Sequence, residues 1–529
     1  MAQKPGQMAA GIRWLLPSSA DLIFIVILCS FCFTGLSTRL LNDAGIGWHI
    51  RTGEQILSTH QVPHVDIYSS IMSRKPWFAW EWLYDFLVGA LHSSMGLNGV
   101  VWLTAAVIGA VFARTFQLTA ERGANLLVAL LLTLLAFSAS MIHILARPHV
   151  VSWFFVVMWF HILDSSERES LAGRIGPTRR WLWFLPVSML LWVNMHGGFL
   201  LGLALCASFW MGALWTWRST RGIAFEDSLL RIALGARVRD LTLVSLLSAA
   251  ATFVNPYGWH LHQHIFAYLT NTFLMNHIEE FQSPNFHLLA QRCFLILVIV
   301  TVAVVATRKR AVKLSDALLM LFAIYMGFYA SRNIPISSIL LVLIVGPLLP
   351  QFASLTNFTQ RMTAVDSRLR GHLWSVVFFL LVLFVNLNGG RIAGKLLADA
   401  HFDPARMPAG ALDDLEKKAI SEPLLAPDYW GGYLIYRLYP KNKVVIDDRH
   451  DLYGEQVLAS YLKMVRPQAG WNQFLSDYKV SCIIMPKNAG ITAILKESRA
   501  WKSVYSDDVA VTFMKVDSTA KPAQQNSEP

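Results

Sequence analysis

Ionisable and amide side chains of this sequence gather in short stretches that lie between long apolar runs. The first stretch, 42–96, holds Asp43, His49, Asp66 and Glu81, with tryptophans at 77, 80 and 82. The next two are Ala146-Arg147-Pro148-His149 and Asn194-Met195-His196-Gly197-Gly198. A segment at 255–290 carries His260, Glu279 and Glu280, and the last is Ser331-Arg332-Asn333-Ile334-Pro335. Carboxylates, imidazoles and guanidinium groups collected on one side of a membrane would suit an active site at that interface. Each motif alone is weak: Asn255-Pro256 is a turn signal, and Gly197-Gly198 would also serve close helix packing. Their shared sidedness carries the expectation.

That sidedness comes from the elements around them. The chain has 529 residues, 54% hydrophobic and only 15% charged, where a soluble domain carries roughly 25% charge. A soluble enzyme and a disordered chain are both excluded. Apolar blocks near ~20 residues match a ~30 Å hydrocarbon core. They fall near 20–41, 97–117, 124–142, 149–164, 181–195, 198–217, 241–254, 291–307, 314–330, 335–350 and 372–388. Every second loop is basic: Arg114 and Arg122; Arg168 to Arg180; Arg218 to Arg239; Arg308 to Lys313; Arg361 to Arg370. This is the positive-inside pattern, so the +11 net charge is a topology signal and not a nucleic-acid surface. The N-terminus is then cytoplasmic, reading from Lys4 and Arg13 into Leu22 as a retained signal anchor, and the C-terminus lies outside. The five cysteines build neither a disulfide framework nor a metal ribbon. No internal repeat is evident, against a transporter of inverted halves.

After about residue 390 the composition is that of a soluble domain. Pro404 and Pro408 mark a linker, and helices are expected at 412–420, 433–438, 454–464 and 491–497. Strands are expected at 423–426, 443–447 and 480–485, with a hairpin of 503–505 and 510–516 across Ser506-Asp507-Asp508. The fold class is therefore a polytopic α-helical membrane protein of about 11 spans with a C-terminal soluble α/β domain. The expected division is 1–389, including the first external loop 42–96, and 390–529, closed by a disordered polar tail through Gln524 to Pro529.

In the first loop Trp48, Thr52 and Ile56 recur at helical spacing, which predicts an amphipathic helix lying on the membrane surface. Asp43 stands just before it, where a cap would. A second amphipathic piece runs from Pro76 to His92, and Trp77, Trp80 and Trp82 suit anchors at the water–lipid boundary. This layout resembles the GT-C superfamily of integral-membrane glycosyltransferases. There an acidic residue follows the first span, then come an interfacial helix, a Pro-containing stretch and a second interfacial helix. The run Trp48-His49-Ile50 with Gly53 and Ile56, followed by Val62-Pro63 and Asp66, is similar to the loop of a large bacterial subgroup. The other external motifs resemble that subgroup too.

The resemblance implies an activity. GT-C enzymes move a sugar from a polyprenyl phosphate or diphosphate carrier to an acceptor on the outer side. The expected partners are the bilayer, a polyprenyl-phosphate sugar donor and a glycan, lipid or protein acceptor, with no nucleic acid. The acceptor needs a base within hydrogen-bond reach. The resemblance gives that role to Asp43, with Asp66 as its partner or as part of an acceptor or metal site. The leaving phosphate needs cationic or N–H donors: Arg147 and Arg332, able to bind it bidentately, with His196 and His260. His49, Glu81, Asn194 and Glu279 are the sugar or acceptor set, joined in the tail by Asp428, Tyr429 and Trp430. The tail run Asp428-Tyr429-Trp430-Gly431-Gly432 departs from the Trp-Trp-Asp-Tyr-Gly motif of oligosaccharyltransferases, so that motif's peptide-reading role is not carried over. A helix start at Asp428 and a buried Asp447–Arg449 pair would explain the same residues. Some superfamily members bind Mg2+ or Mn2+ and others use no metal. Asp43, Asp66, Glu279 and Glu280 show no diagnostic spacing, so metal dependence stays open.

Other readings compete. Arginines at span ends would also be explained by snorkelling. A surface-polysaccharide ligase or polymerase would rely on Arg and His in place of an acidic first loop. A transporter or flippase expects ionisable groups near span midplanes, whereas here they lie at the ends. A scaffold for envelope glycans needs no catalytic group at all. The expected location is a bacterial cytoplasmic (inner) membrane.

Overall fold

The computed structural model describes residues 12–220, 228–308, 311–349, 356–418 and 423–516. Lys4, Arg221, Lys309, Arg310, the end of the 412–420 helix and the polar C-terminal tail lie outside them. The chain divides into two compact units, Met1–Leu40 with Trp80–His401, and Leu41–Ala79 with Phe402–Pro529.

The first unit is helical. Among the described residues six helices are long and apolar enough to cross a membrane: Arg13–Phe33, Leu97–Glu121, Leu126–His143, Gly197–Ser219, Leu289–Thr307 and Ser331–Leu348. Leu314–Tyr329 and Leu373–Leu387 are shorter apolar helices. The remaining apolar stretches, 149–164, 181–195 and 241–254, fall on helices His149–Leu171, Phe184–Met195 and Ser228–Ala251. Exposed Leu127, Leu131 and Leu134 line one face of Leu126–Ser140, and Ile296, Ile299 and Val302 one face of Leu289–Thr307. In water such stripes would cost about 25 cal/mol per Å2 of apolar surface; against lipid tails they cost nothing.

Several cations of the basic loops turn inward. Arg122 pairs with Asp164 and Asp316, and Arg179 with Asp240. Lys313 Nζ lies 2.7 Å from Glu167, which also meets Arg237 at 3.4 Å. A buried charge must be paired, so part of what counts as topology signal also ties helices together.

The second unit is α/β. Its central strand Cys482–Pro486 pairs parallel with Leu424–Leu425 and antiparallel with Ala510–Lys515, whose outer neighbour is Trp501–Ser506. Cys482, Ile483, Ile484 and Met485 are all buried, as in a strand covered on both faces. In place of the strand expected at 443–447, Val444 makes only isolated bridges to Leu424 and Ser69.

The first loop departs most from expectation. Helix Ile46–Thr59 forms where the spacing predicts it. Its apolar face, with Trp48 and Ile56 buried, packs on helix Asp428–Leu438 and is covered by protein instead of lipid. Glycine makes the approach possible: a Cβ on Gly47 would run into the Gly432 carbonyl, and one on Gly432 into that of Ala44. Residues 41–79 therefore fold with 402–529, where the sequence division had placed them with 1–389. The three tryptophans also make protein contacts. Trp77 is buried in the second unit, while in the first Trp80 meets His264 edge-on at 5.1 Å and Trp82 bonds Asn194.

Candidate functional site

In the first unit, turns from distant parts of the sequence bring charged groups together. Arg332 Nη1 lies 3.0 Å from Glu280 Oε1, and its guanidinium covers the Phe281 ring at 4.6 Å. The turn that carries Arg332 is well fixed. Ser331 donates from its N–H and from its hydroxyl to the Gln282 carbonyl, both at 2.9 Å. Asn333 Nδ2 donates to the Met326 carbonyl at 3.1 Å, and Pro335 opens the next helix, where a missing N–H costs nothing. Burial works to raise the Glu280 carboxyl, but Arg332, with His143, Arg147 and His149 around it, holds it down at about 2. Glu280 is thus ionised at neutral pH.

His196 faces the same region. Its Nε2 is 3.8 Å from Glu81 Oε1, and its Nδ1 accepts from the Gly198 N–H at 3.0 Å and meets the Ser152 hydroxyl at 2.7 Å. Burial pushes the imidazole down to about 3, with Arg332 and Arg147 adding to the shift and Glu280 opposing it. The contact with Glu81 is therefore made by a neutral ring and is no ion pair at pH 7. Trp82 Nε1–H donates to Asn194 Oδ1 at 2.7 Å, and Asn194 Nδ2 donates to the Leu190 and Val254 carbonyls at 2.8 and 2.9 Å. Asn194 is a brace between the Trp82 turn and two helix ends. Asp85, one turn beyond Glu81, is buried, and its carboxyl is pushed well up by that burial and by Glu81, against Arg147.

Arg147, Arg332, His196, Glu81 and Asn194, all expected from the sequence, therefore share one neighbourhood. Glu280, His143, His149 and Asp85 join them. His149 had a signal, standing two residues from Arg147 in a quoted motif; Asp85 had none, lying inside an apolar-looking helix. Two expected residues fall outside. Glu279 is exposed while its neighbour Glu280 takes the contact with Arg332, because adjacent side chains on the short turn Glu279–Phe281 diverge. His260 is exposed on helix Trp259–Thr270 and bonds Gln263 at 2.9 Å, apart from the groups expected to join it at a phosphate.

The second unit holds the other expected residues. Asp66 is fully buried, with Oδ1 2.8 Å from Arg449 Nη1, and it accepts from the Ser69 hydroxyl at 2.7 Å and the Ser69 N–H at 3.0 Å. Arg449 grips Asp447 with two bonds of 2.8 and 2.7 Å, and lies over Trp77 and Tyr68 at 4.7 and 5.2 Å. Burial works to raise the Asp447 carboxyl, but Arg449 outweighs it and holds it below the usual range. This geometry commits Asp66 to the core of the unit, where the sequence reading made it a partner of Asp43 or part of an acceptor or metal site. His49 is fully buried and stacked on Trp48 at 3.6 Å, and Trp430 is buried with its N–H on the Arg406 carbonyl at 2.9 Å. Neither offers a face to a sugar. Asp428 pairs with His450 at 2.8 Å and accepts from the Tyr461 hydroxyl at 3.0 Å, while Tyr429 beside it is exposed. Asp43 is half-buried, and its Oδ1 accepts from the Gly45 N–H at 2.8 Å just before the helix that starts at Ile46. Among the described residues no three His, Cys, Asp or Glu side chains gather as metal ligands.

A helical unit of membrane-competent helices, with a polar cluster built on its turns, and a separate α/β unit make up a fold shared with solved membrane proteins. The chain is similar to the oligosaccharyltransferase of Archaeoglobus fulgidus tethered with an acceptor peptide containing the NVT sequon, at 12% identity and a TM-score of 0.52, over 88% of this chain and 68% of that one. The same enzyme in complex with Zn and sulfate gives 9% identity, a TM-score of 0.46 and the same coverage of 88% and 68%. ArnT from Cupriavidus metallidurans, bound to undecaprenyl phosphate, gives 13% identity and a TM-score of 0.40 over 95% of this chain and 98% of that one. No protein-family model and no curated protein matches the sequence.

Proposed function

We propose that the chain is a glycosyltransferase that moves a sugar from a polyprenyl-phosphate-linked donor to an extracytoplasmic acceptor. The observation that carries this reading is the meeting of Arg147, Arg332 and a neutral His196 with Glu81 and Glu280 in the helical unit. Two guanidinium groups and an imidazole N–H suit a leaving phosphate, where negative charge grows as the glycosyl bond breaks. Glu81 is left to the sugar or acceptor, and Asn194 braces the turn beside it. Asp43 is the proposed base: it is the half-buried carboxylate at the place in the loop where the GT-C resemblance puts one, and Asp66 is withdrawn from that role. The protein is taken as an inner-membrane protein of about 11 spans, N-terminus inside and α/β unit outside, supported by the alternation of basic loops.

The test is binding of undecaprenyl phosphate to the full chain in lipid nanodiscs, followed by turnover of polyprenyl-phosphate sugars. Arg332→Gln removes a charge-assisted bond of about 1.5–3 kcal/mol, a loss of roughly ten- to a hundredfold in affinity. Asp43→Asn is expected to keep binding and lose turnover. A second reading, the polysaccharide ligase or polymerase, is favoured by the share of Arg and His in the cluster; it predicts that Asp43→Asn stays active.

A further inference from the structure

We propose that Ser152 and Trp192 are positioning residues that hold His196 as a neutral ring protonated on Nε2, so that it serves the site as a hydrogen-bond donor and never as a base. The inference deepens the proposed function and rests on it for the phosphate that this donor meets.

The direction of each hydrogen bond follows from what its partners can do. An indole N–H only donates. That of Trp192 lies 2.8 Å from Ser152 Oγ, so the hydroxyl oxygen accepts there and its own proton is directed to His196 Nδ1, 2.7 Å away. The Gly198 backbone N–H, also a donor only, meets the same nitrogen at 3.0 Å. Two donors on Nδ1 leave it no room for a proton, and the ring's proton belongs on Nε2. Ser152 and Trp192 are both fully buried, so neither has solvent as an alternative partner. Trp192 is itself clamped, stacked on Phe155 at 5.0 Å and edge-on to Trp159 at 5.6 Å. A Cβ on Gly198 would run into both Ser152 Oγ and His196 Nδ1, which gives this glycine a specific task beyond helix packing.

The other nitrogen points toward the cluster. Nε2 is 3.8 Å from Glu81 Oε1, wider than a hydrogen bond, so an oxygen brought in by a ligand can compete for its proton. The charged and titratable groups acting on the ring or paired with it are Glu81, Glu280, Arg147, Arg332 and His149. The two arginines and the burial of the ring oppose its protonation. A neutral N–H beside two guanidinium groups can bind a phosphate oxygen without moving a proton, and its contribution does not vanish as pH rises through the ordinary histidine range.

The test is histidine nitrogen NMR of the 15N-labelled full chain in nanodiscs, with His196 assigned by its loss in His196→Gln. The expected signature is a protonated Nε2 and a bare Nδ1, unchanged from pH 5 to 8. A proton on Nδ1, or an imidazolium at pH 6, overturns the proposal. In Ser152→Ala the loss of about 1 kcal/mol of hydrogen bonding is expected to raise the other protonation forms roughly fivefold. Unchanged His196 signals in that variant would remove Ser152 from the role. Undecaprenyl phosphate is then added. His196→Gln, which keeps a side-chain N–H, is expected to bind within about threefold of wild type and His196→Ala at least tenfold more weakly. Equal loss in both variants contradicts a pure donor. Failure of wild type to bind the lipid overturns the phosphate assignment, while the NMR result still decides the tautomer.

Discussion

Replacing Asp66 by Asn separates a structural from a catalytic carboxylate. The side chain is fully buried, 2.8 Å from Arg449 Nη1, and bonded twice to Ser69. Asn keeps the shape and one acceptor oxygen but loses the charge, so the contact with the guanidinium falls from a charged to a neutral one, a loss of about 1–1.5 kcal/mol. Arg449→Met is more severe, because it strands Asp66 and Asp447 together in the core. Breaking a buried pair costs about 3–5 kcal/mol. With about 2–4 °C lost per kcal/mol in a domain of this size, Asp66→Asn should lower the melting point of the α/β unit by roughly 2–6 °C. Tryptophan fluorescence of the full chain in nanodiscs follows it, since Trp48 and Trp77 flank the guanidinium at 5.9 and 4.7 Å. A variant that melts like wild type but has lost turnover would refute the structural assignment and return Asp66 to the chemistry.

Other consequences are as direct. Burial works to lower the His450 imidazole, but its bond to Asp428 outweighs this and raises it; the same bond, against burial, lowers Asp428. The pair's stabilisation is therefore whole between the ordinary values of 3.8 and 6.5, and is lost as pH rises through the raised His value or falls through the depressed Asp value. His450→Gln should abolish the alkaline limb of a melting profile, and a limb that persists in it assigns the effect to another group. Gly47→Ala forces a methyl into the Gly432 carbonyl and should cost about 1–3 kcal/mol, seen as faster proteolysis of the 41–79 segment; unchanged cleavage would mean the two helices can separate cheaply. Asn194→Leu takes the acceptor from Trp82 and the donor from two carbonyls, at about 1–3 kcal/mol, and should weaken undecaprenyl phosphate binding without touching Arg332. Wild-type affinity in that variant would show that the brace is dispensable.

Helix positions were legible because apolar length and period are local properties. The spacing of Trp48, Thr52 and Ile56 marks an apolar face on helix Ile46–Thr59, and the face exists. What covers it was not legible, since lipid and a protein helix are equally apolar partners. Only Gly47 opposite Gly432, nearly 400 residues apart, distinguishes them. The Arg and His motifs stand out by the alternation of basic and non-basic loops, and Arg147, Arg332 and His196 do converge. The choice of Glu280 over Glu279 depended on a single residue's rotation around a short turn, which no motif encodes. Asp66 misled because its partner Arg449 comes from the far end of the chain. A carboxylate in a loop motif reads the same whether it faces substrate or a buried guanidinium.

The central claim is tested most directly by offering the full-length protein in nanodiscs a panel of polyprenyl-phosphate sugars. Sugar release or transfer is followed by mass spectrometry for wild type beside Asp43→Asn. The expected result is consumption of one donor by wild type and none by the variant, at an unchanged melting temperature. Failure of wild type either to consume any donor or to bind undecaprenyl phosphate would contradict the assignment as a glycosyltransferase.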